Sequence, residues 1–433
     1  MGFLNSIKRC AGPKPLPEIP RSESPTRSHP PGPPANRSID WRVLFIGGNP
    51  VWFHQAERDI YCLQPTWLCQ RAENGARALD LMQSASFDAL VLDGRAVNET
   101  DLQGDLQEKI RRSICLVRCD VSDRSAIARW NRSGITPVPE DGDAAALVAG
   151  LTRARRLRDW MAERAVQKLL SLVHKLPAVP RLHAQVTEQL RLPDASIRTV
   201  ALLISQDPVM SAKILQVANS AFFGRAQEVN DAADAVMVLG TERVRSLILL
   251  AGVFSQYGDA RSACFSPETI WDHSLQVAMF ARAIAFAETK DARMAETAFT
   301  AGLLHDIGKL ILAANVPEMY GAVQRVQASK KVSQQEAEQI MLGTTHAELG
   351  ACLLGTWGLP LQILEAIAWH HVPERSTDNG LTLLAAVHVA NVFAHADSQD
   401  GASDPIKLGF LLRVGLGDCR DRWREYCGIE RKG

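Results

Sequence analysis

The apolar rhythm of the chain changes once, and that change constrains the fold more than any other feature. Between Trp41 and Pro139, apolar runs of strand length recur at residues 43–46, 67–69, 89–92, 114–117 and 135–138. Helical patterns lie between them, for example at 75–84 and 122–131. Strands alternating with helices imply a parallel sheet covered on both faces, with ligands bound beyond the strand C-termini. From Leu176 onward every segment reads as helix. Asp194 is placed to cap a helix through 197–204, Asp207-Pro208 opens the next, and Ser266-Pro267-Glu268 starts a long one carrying His273. Ser333-Gln334-Gln335-Glu336 has the form of a capping box. The run from about 150 to 174 joins the two halves as a connecting helix, a common place for dimer contacts.

Composition narrows the function. The 433 residues are 46% apolar and 22% charged with a formal net charge of +0, which argues against nucleic-acid binding by bulk charge. Nine cysteines are scattered without CxxC spacing, as expected of reduced thiols in a cytoplasmic protein. The N-terminus is too short and broken for a signal-peptide core, and no apolar run reaches the ~18 residues of a membrane span. Residues 11–39 are rich in proline, serine and arginine and read as a disordered leader. The expected organisation is a leader over 1–40, an α/β flavodoxin-like domain over 41–150, a connecting helix over 151–167, an all-α domain over 168–400 and an extension over 401–433.

Chemistry concentrates in the helical half. Of eleven histidines, seven lie between His273 and His395: His273, His305, His346, His370, His371, His388 and His395. His305 is followed by Asp306 in Gly302-Leu303-Leu304-His305-Asp306-Ile307-Gly308-Lys309. Adjacent residues on a helix diverge by about 100°, yet their tips can converge on one ion. Imidazole nitrogen and carboxylate oxygen are common ligands of first-row metals.

These motifs carry a resemblance. The helical half is similar to the HDOD domain, the HD-related output domain of bacterial signalling proteins. The match runs through Leu176-Pro177-Ala178-Val179-Pro180, Ser205-Gln206-Asp207-Pro208, Trp271-Asp272-His273-Ser274, the stretch from Gly302 to Lys309, His346-Ala347-Glu348-Leu349-Gly350, Trp357-Gly358-Leu359-Pro360 and His370-His371. The parent HD superfamily consists of metal-dependent phosphohydrolases. The resemblance maps its ligand scheme onto His273, His305 and Asp306, with Asn391 in the place of a late aspartate. The related HD-GYP phosphodiesterases add histidines for a second metal, which His346, His370 and His371 resemble. An amide oxygen at 391 is a neutral, weaker donor. Lys309 is placed either for a phosphate contact or for an ion pair with Asp306.

The α/β half resembles the receiver domain of response regulators. Asp93 in Val91-Leu92-Asp93 stands at the phosphoacceptor position. The magnesium-binding acids correspond to Gly47 and Gly48, the switch hydroxyl to Cys119 and the receiver lysine to Val138. The resemblance therefore implies a degenerate receiver in which Asp93 is not phosphorylated, because metal and countercharge are missing. Two functions follow as expectations. One is a regulatory protein whose HDOD output domain works through contacts with other signalling proteins, as a monomer or a homodimer. The other is a metal-dependent phosphohydrolase or cyclic-dinucleotide phosphodiesterase holding a divalent transition metal.

Overall fold

The computed structural model describes residues 39–429 except 98–105, 107, 108, 110–112, 121–129, 131–134, 141, 162–165, 167, 168, 172, 174–176, 191–195, 221–228, 258–265, 358, 377, 379 and 398–405. The leader up to residue 38, Asp194 and nearly all of the expected helix over 122–131 lie outside the described residues.

Five parallel strands form one sheet: β1 (Trp41–Ile46), β2 (Trp67–Ala72), β3 (Ala89–Asp93), β4 (Ile114–Cys119) and β5 (Thr136–Pro139), in the order β2-β1-β3-β4-β5. This is the flavodoxin-like order, with its switch point between β1 and β3. The central strands are continuous apolar runs because both faces are covered. β2 extends past Cys69 through Gln70 and Arg71, further than its apolar pattern suggests. It is an edge strand, where polar residues cost little. β5 tolerates Pro137 and Pro139 for the same reason. Gly47 and Gly48 follow β1 with φ of 78° and 82°, in the left-handed region that favours glycine.

The connecting helix differs from expectation. It spans Ala144–Met161 and begins ahead of Gly150, because the Asp143 carboxylate accepts from Ala146 N at 2.8 Å and caps it. Gly150 is interior and lets the helix approach Leu116 of β4, whose Cδ1 would stand 3.3 Å from an added Cβ. Leu147, Val148 and Leu151 pack in a core with β1, while Leu157 and Trp160 belong to the core of the helical half. One helix is thus shared by both cores.

The helical half is built around Pro267–Thr289, which packs against Ala292–Leu304 and Leu383–Asp397. Its boundaries follow capping chemistry. Asp207 accepts from Val209 N and Met210 N, both at 3.0 Å. Ser333 and Glu336 form a reciprocal capping box, as do Thr345 and Glu348. Ser196 caps Ile197–Ser205 by accepting from Thr199 N. Each fully buried Leu, Ile or Phe in this core contributes about 1.5–3 kcal/mol relative to exposure.

Two glycines set close approaches. A Cβ on Gly302 would stand 2.9 Å from Ala278 Cα. One on Gly308 would collide with the His346 carbonyl. Overpacking of this kind predicts that Gly308→Ala lowers the unfolding free energy by about 1–3 kcal/mol. Gly321→Ala, inside Pro317–Lys330 with only Arg325 Nη1 at 3.5 Å, should raise it by about 0.5–1 kcal/mol. Urea unfolding of the two variants checks this, and effects of equal sign would refute the contrast.

Candidate metal centre

Six helices deliver the polar cluster. His273 lies within Pro267–Thr289, and His305 ends Ala292–Leu304. Asp306 is the turn residue before Ile307–Asn315, whose third residue is Lys309. His346 opens His346–Thr356, His370 and His371 follow Leu361–Trp369, and Asn391 lies in Leu383–Asp397. The structure brings all seven sequence-derived candidates and Lys309 together.

Asp306 stands at the centre, and its two oxygens face different partners. Oδ1 lies 3.1 Å from His346 Nε2 and 3.9 Å from His370 Nε2. Oδ2 lies 2.7 Å from Lys309 Nζ, 3.3 Å from His305 Nε2 and 3.6 Å from His273 Nε2. His371 Nε2 is 3.2 Å from His346 Nε2. Two sets have ligating atoms close enough for one ion: Asp306 with His346, His370 and His371, and Asp306 with His273 and His305.

The hydrogen bonds behind the rings assign their tautomers. His305 Nδ1 donates to Gly302 O, and His370 Nδ1 to Ile367 O, each at 2.7 Å. Each ring therefore presents its Nε2 toward Asp306. His346 Nδ1 donates to Glu338 Oε2 at 2.7 Å, and the same oxygen accepts His346 N at 2.8 Å. Glu338 is fully buried and is steadied by Gln334, whose Nε2 donates to Oε1 at 2.9 Å. His388 holds the backbone instead: its Nδ1 donates to His370 O, and its Nε2 accepts from Lys407 N. His273 Nε2 meets Asn391 Oδ1 at 3.0 Å, and its ring stacks on His395 at 4.4 Å.

These groups suit a cation on the Oδ1 side. On that side His370 Nε2 and Asp306 Oδ1 are buried without a well-aligned hydrogen-bond partner. Lone pairs and a carboxylate oxygen facing one another in a dry site repel unless positive charge lies between them. On the Oδ2 side Lys309 supplies that charge, and Asn391 engages His273. Asp306, His346, His370 and His371 form an N₃O set of the kind that binds zinc or a related transition metal.

Electrostatics agree with this division. Burial opposes ionisation of Asp306, yet His305 and Lys309 hold its carboxyl well below the usual range. Burial, reinforced by neighbouring histidines, pushes His370 and His371 well below the usual imidazole range. Burial takes His273 down to about 2 despite Asp306. Burial also disfavours a charged His346, but the Glu338 carboxylate outweighs it and raises that ring to about 9. In the absence of an ion, a proton on His346 supplies the missing charge.

A second polar constellation lies at the C-terminal end of the sheet. The register pairs Asp93 with Arg118 on β4, and Arg118 Nη1 lies 3.8 Å from Asp93 Oδ2. The guanidinium stacks on Trp52 at 3.4 Å and donates to Glu140 O at 2.6 Å. Arg95 N donates to Asp93 Oδ1 at 3.0 Å. Gly48 leaves room for Asp93, since a Cβ there would stand 2.7 Å from Oδ2. Cys119 is buried, and Val138 lies in β5. Sequence reasoning missed both Glu338 and Arg118. Glu338 is one acid among several on a polar helix, and Arg118 reads as the end of an apolar run.

Residues 176–373 match the family model described as the HDOD domain. The chain carries an HDOD domain. A crystal structure of an HDOD domain protein with unknown function from Geobacter sulfurreducens superimposes with a TM-score of 0.50 at 24% identity, covering 63% of this chain and 96% of that one, and shows the shared fold. An uncharacterized protein of Treponema pallidum is 26% identical over 223 residues, 51% of this chain and 42% of that protein. Ribonuclease Y of Thermus thermophilus is 32% identical over 147 residues, 34% of this chain and 20% of that enzyme. The chain thus spans less than half the length of the curated relatives it matches. No helix among the described residues is long and apolar enough to cross a membrane.

The Glu338–His346 pair predicts a pH signature in chelator-treated protein. His346 is raised from an ordinary value near 6.5 to about 9 in the folded state. The pair's stabilisation is therefore complete below pH ~6.5 and fades as pH rises through about 9. Glu338→Gln cannot hold the imidazolium, so it should be less stable than wild type by about 1–3 kcal/mol at pH 6 and should lose less between pH 6.5 and 9. Parallel stability–pH curves for the two proteins would contradict the assignment.

Proposed function

We propose that this chain is a signal-transduction protein in which a degenerate receiver domain, near 41–150, regulates an HDOD output domain, near 168–400, acting through protein contacts. The observation that carries the reading is the closure of the pocket. His305, Asp306, His346 and His370 are at most 1% exposed, and His371 and Lys309 reach only 7% and 8%. A hydrolytic metal needs an open coordination position for water and substrate. A closed set suits an ion that holds helices together. Asp306, His346, His370 and His371 would hold that ion, and it would supply the positive charge their facing atoms lack. The receiver-like reading draws on sheet order, on Asp93 at the end of β3, and on Arg118 beside it where receivers place a metal. Partners would be other signalling proteins, with a homodimer as one arrangement.

The second reading is a metal-dependent phosphohydrolase or phosphodiesterase. The observation favouring it is that Asp306 offers each oxygen to a separate histidine set, as a carboxylate shared between two ions would. The name of the Thermus relative points toward phosphodiester chemistry as well. A bound metal would supply Lewis acidity. Lys309 would contact a phosphoryl oxygen.

Metal analysis of the purified protein, followed by turnover assays on cyclic dinucleotides and short RNA, separates the two. The first reading expects about one transition-metal ion per chain, lost in Asp306→Ala, and no turnover. Hydrolysis by wild type that disappears in Asp306→Ala would establish the second. Under the second reading, Asn391→Asp should add a carboxylate beside His273 and tighten retention of an ion held there. At the sheet, small phosphodonors should leave Asp93 unlabelled, since Gly47 and Gly48 supply no carboxylates for a metal and Val138 stands in the lysine position. An acyl-phosphate at Asp93 found by mass spectrometry would overturn the degenerate-receiver assignment.

A further inference from the structure

We infer that the Ala144–Met161 helix couples the cleft at the C-terminal end of the sheet to the histidine pocket, with Trp160 and Arg153 as the positioning residues. At about 1.5 Å per residue the helix is about 27 Å long, so its two ends meet different parts of the molecule. Its first turn, Asp143 to Leu147, lines a cleft of about 180 Å³ together with Trp52 and Arg118, the residues beside Asp93. Arg155 fixes it to the start of the sheet through a bidentate pair with Asp40, at 2.7 and 2.8 Å.

The far half of the helix reaches the pocket's supports through polar contacts. Trp160 Nε1 donates to Glu348 Oε1 at 2.9 Å, and both side chains are buried. Glu348 sits in the first turn of the helix that begins with His346, and its Oε2 accepts from Thr345 N at 3.0 Å. Arg153 Nε meets Glu365 Oε2 at 3.1 Å, and Arg153 Nη2 pairs with Asp378. Glu365 lies on the helix that ends at His370 and His371.

The two helices gripped from this side carry three of the four groups in the Asp306–His346–His370–His371 set. Apolar packing tolerates sliding, whereas hydrogen bonds weaken steeply with distance and angle. The contacts from Trp160 and Arg153 therefore transmit a small shift of the helix into the spacing of His346 against His370 and His371. Coupling is reciprocal, so filling the pocket also holds the helix start.

The metal arm of the test rests on the proposed metal reading; the exchange arm does not. In the full chain without added metal, Asp143→Ala weakens the helix start at the cleft. Amide exchange over 345–349 and 365–371 should then rise by about fivefold or more. The same substitution placed on Trp160→Phe with Arg153→Gln should add less than twofold there, because the link is already cut. Trp160→Phe retains the ring in the core, and Arg118→Ala provides a second perturbation of the cleft if the cap proves too mild. In the metal arm, competition with a chromogenic chelator should show Trp160→Phe with Arg153→Gln weakening zinc binding by about tenfold. Unchanged exchange over 345–349 and 365–371 with either cleft variant would overturn the inference. So would equal responses with and without the Trp160 and Arg153 contacts. If exchange propagates but wild type binds no zinc, the coupling stands and the metal reading fails.

Discussion

A carboxylate shut away from water is the interaction on which the helical half depends. Taking Asp306 out of solvent costs several kcal/mol unless charge and hydrogen bonds replace its hydration. The chain answers from several helices at once. Lys309 lies a turn ahead on the same helix, and the rings of His273, His305, His346 and His370 surround the two oxygens. Each ring has its own reason to point inward: a backbone carbonyl behind His305 and His370, a carboxylate behind His346, an amide beside His273. The fold of this domain is in large part the set of helix crossings that makes such convergence sterically possible.

Charge around that centre is balanced locally. Glu338 and Asp306 bring two negative charges, and Lys309 and a protonated His346 bring two positive ones. Burial keeps the His273, His370 and His371 imidazoles neutral. The division between the two sides of Asp306 follows from this balance. One oxygen is paired with Lys309, and the other faces His346, whose proton can leave. A divalent ion held there would take the place of that proton and leave the site one positive charge richer.

Much of this was legible in the sequence, and the exceptions have physical reasons. Strands show through because parallel strands buried on both faces must be apolar throughout, as in 43–46 and 89–92. The histidine set shows through because its members occur in a fixed order along the chain, although they come from separate helices. Glu338 did not show through. Its role depends on the turn at residues 343–345 carrying the His346 ring back over the preceding helix, and no local pattern encodes that reversal. Arg118 was hidden because a sheet's register decides which side chains become neighbours, and register is a property of two strands. The start of the connecting helix was misplaced because Gly150 reads as a boundary in one dimension and is a packing contact in three. The capping residues at 207, 266 and 333 were legible because a cap is satisfied by groups two or three residues away.

Gly308 has a consequence for selectivity. The main chain at 308 rests directly against the main chain at His346, with no side chain between them. Side chains adjust by changing rotamer, but backbone in contact with backbone has no such freedom. The gap between the Asp306 turn and the His346 helix is therefore gauged like the jaws of a fixed caliper. Evolution could exchange the lining residues and alter which ligand atoms are offered, while the calibre itself would persist. Any ion held between Asp306 and His346 would meet a backbone spacing set by this contact, whatever donors were presented to it.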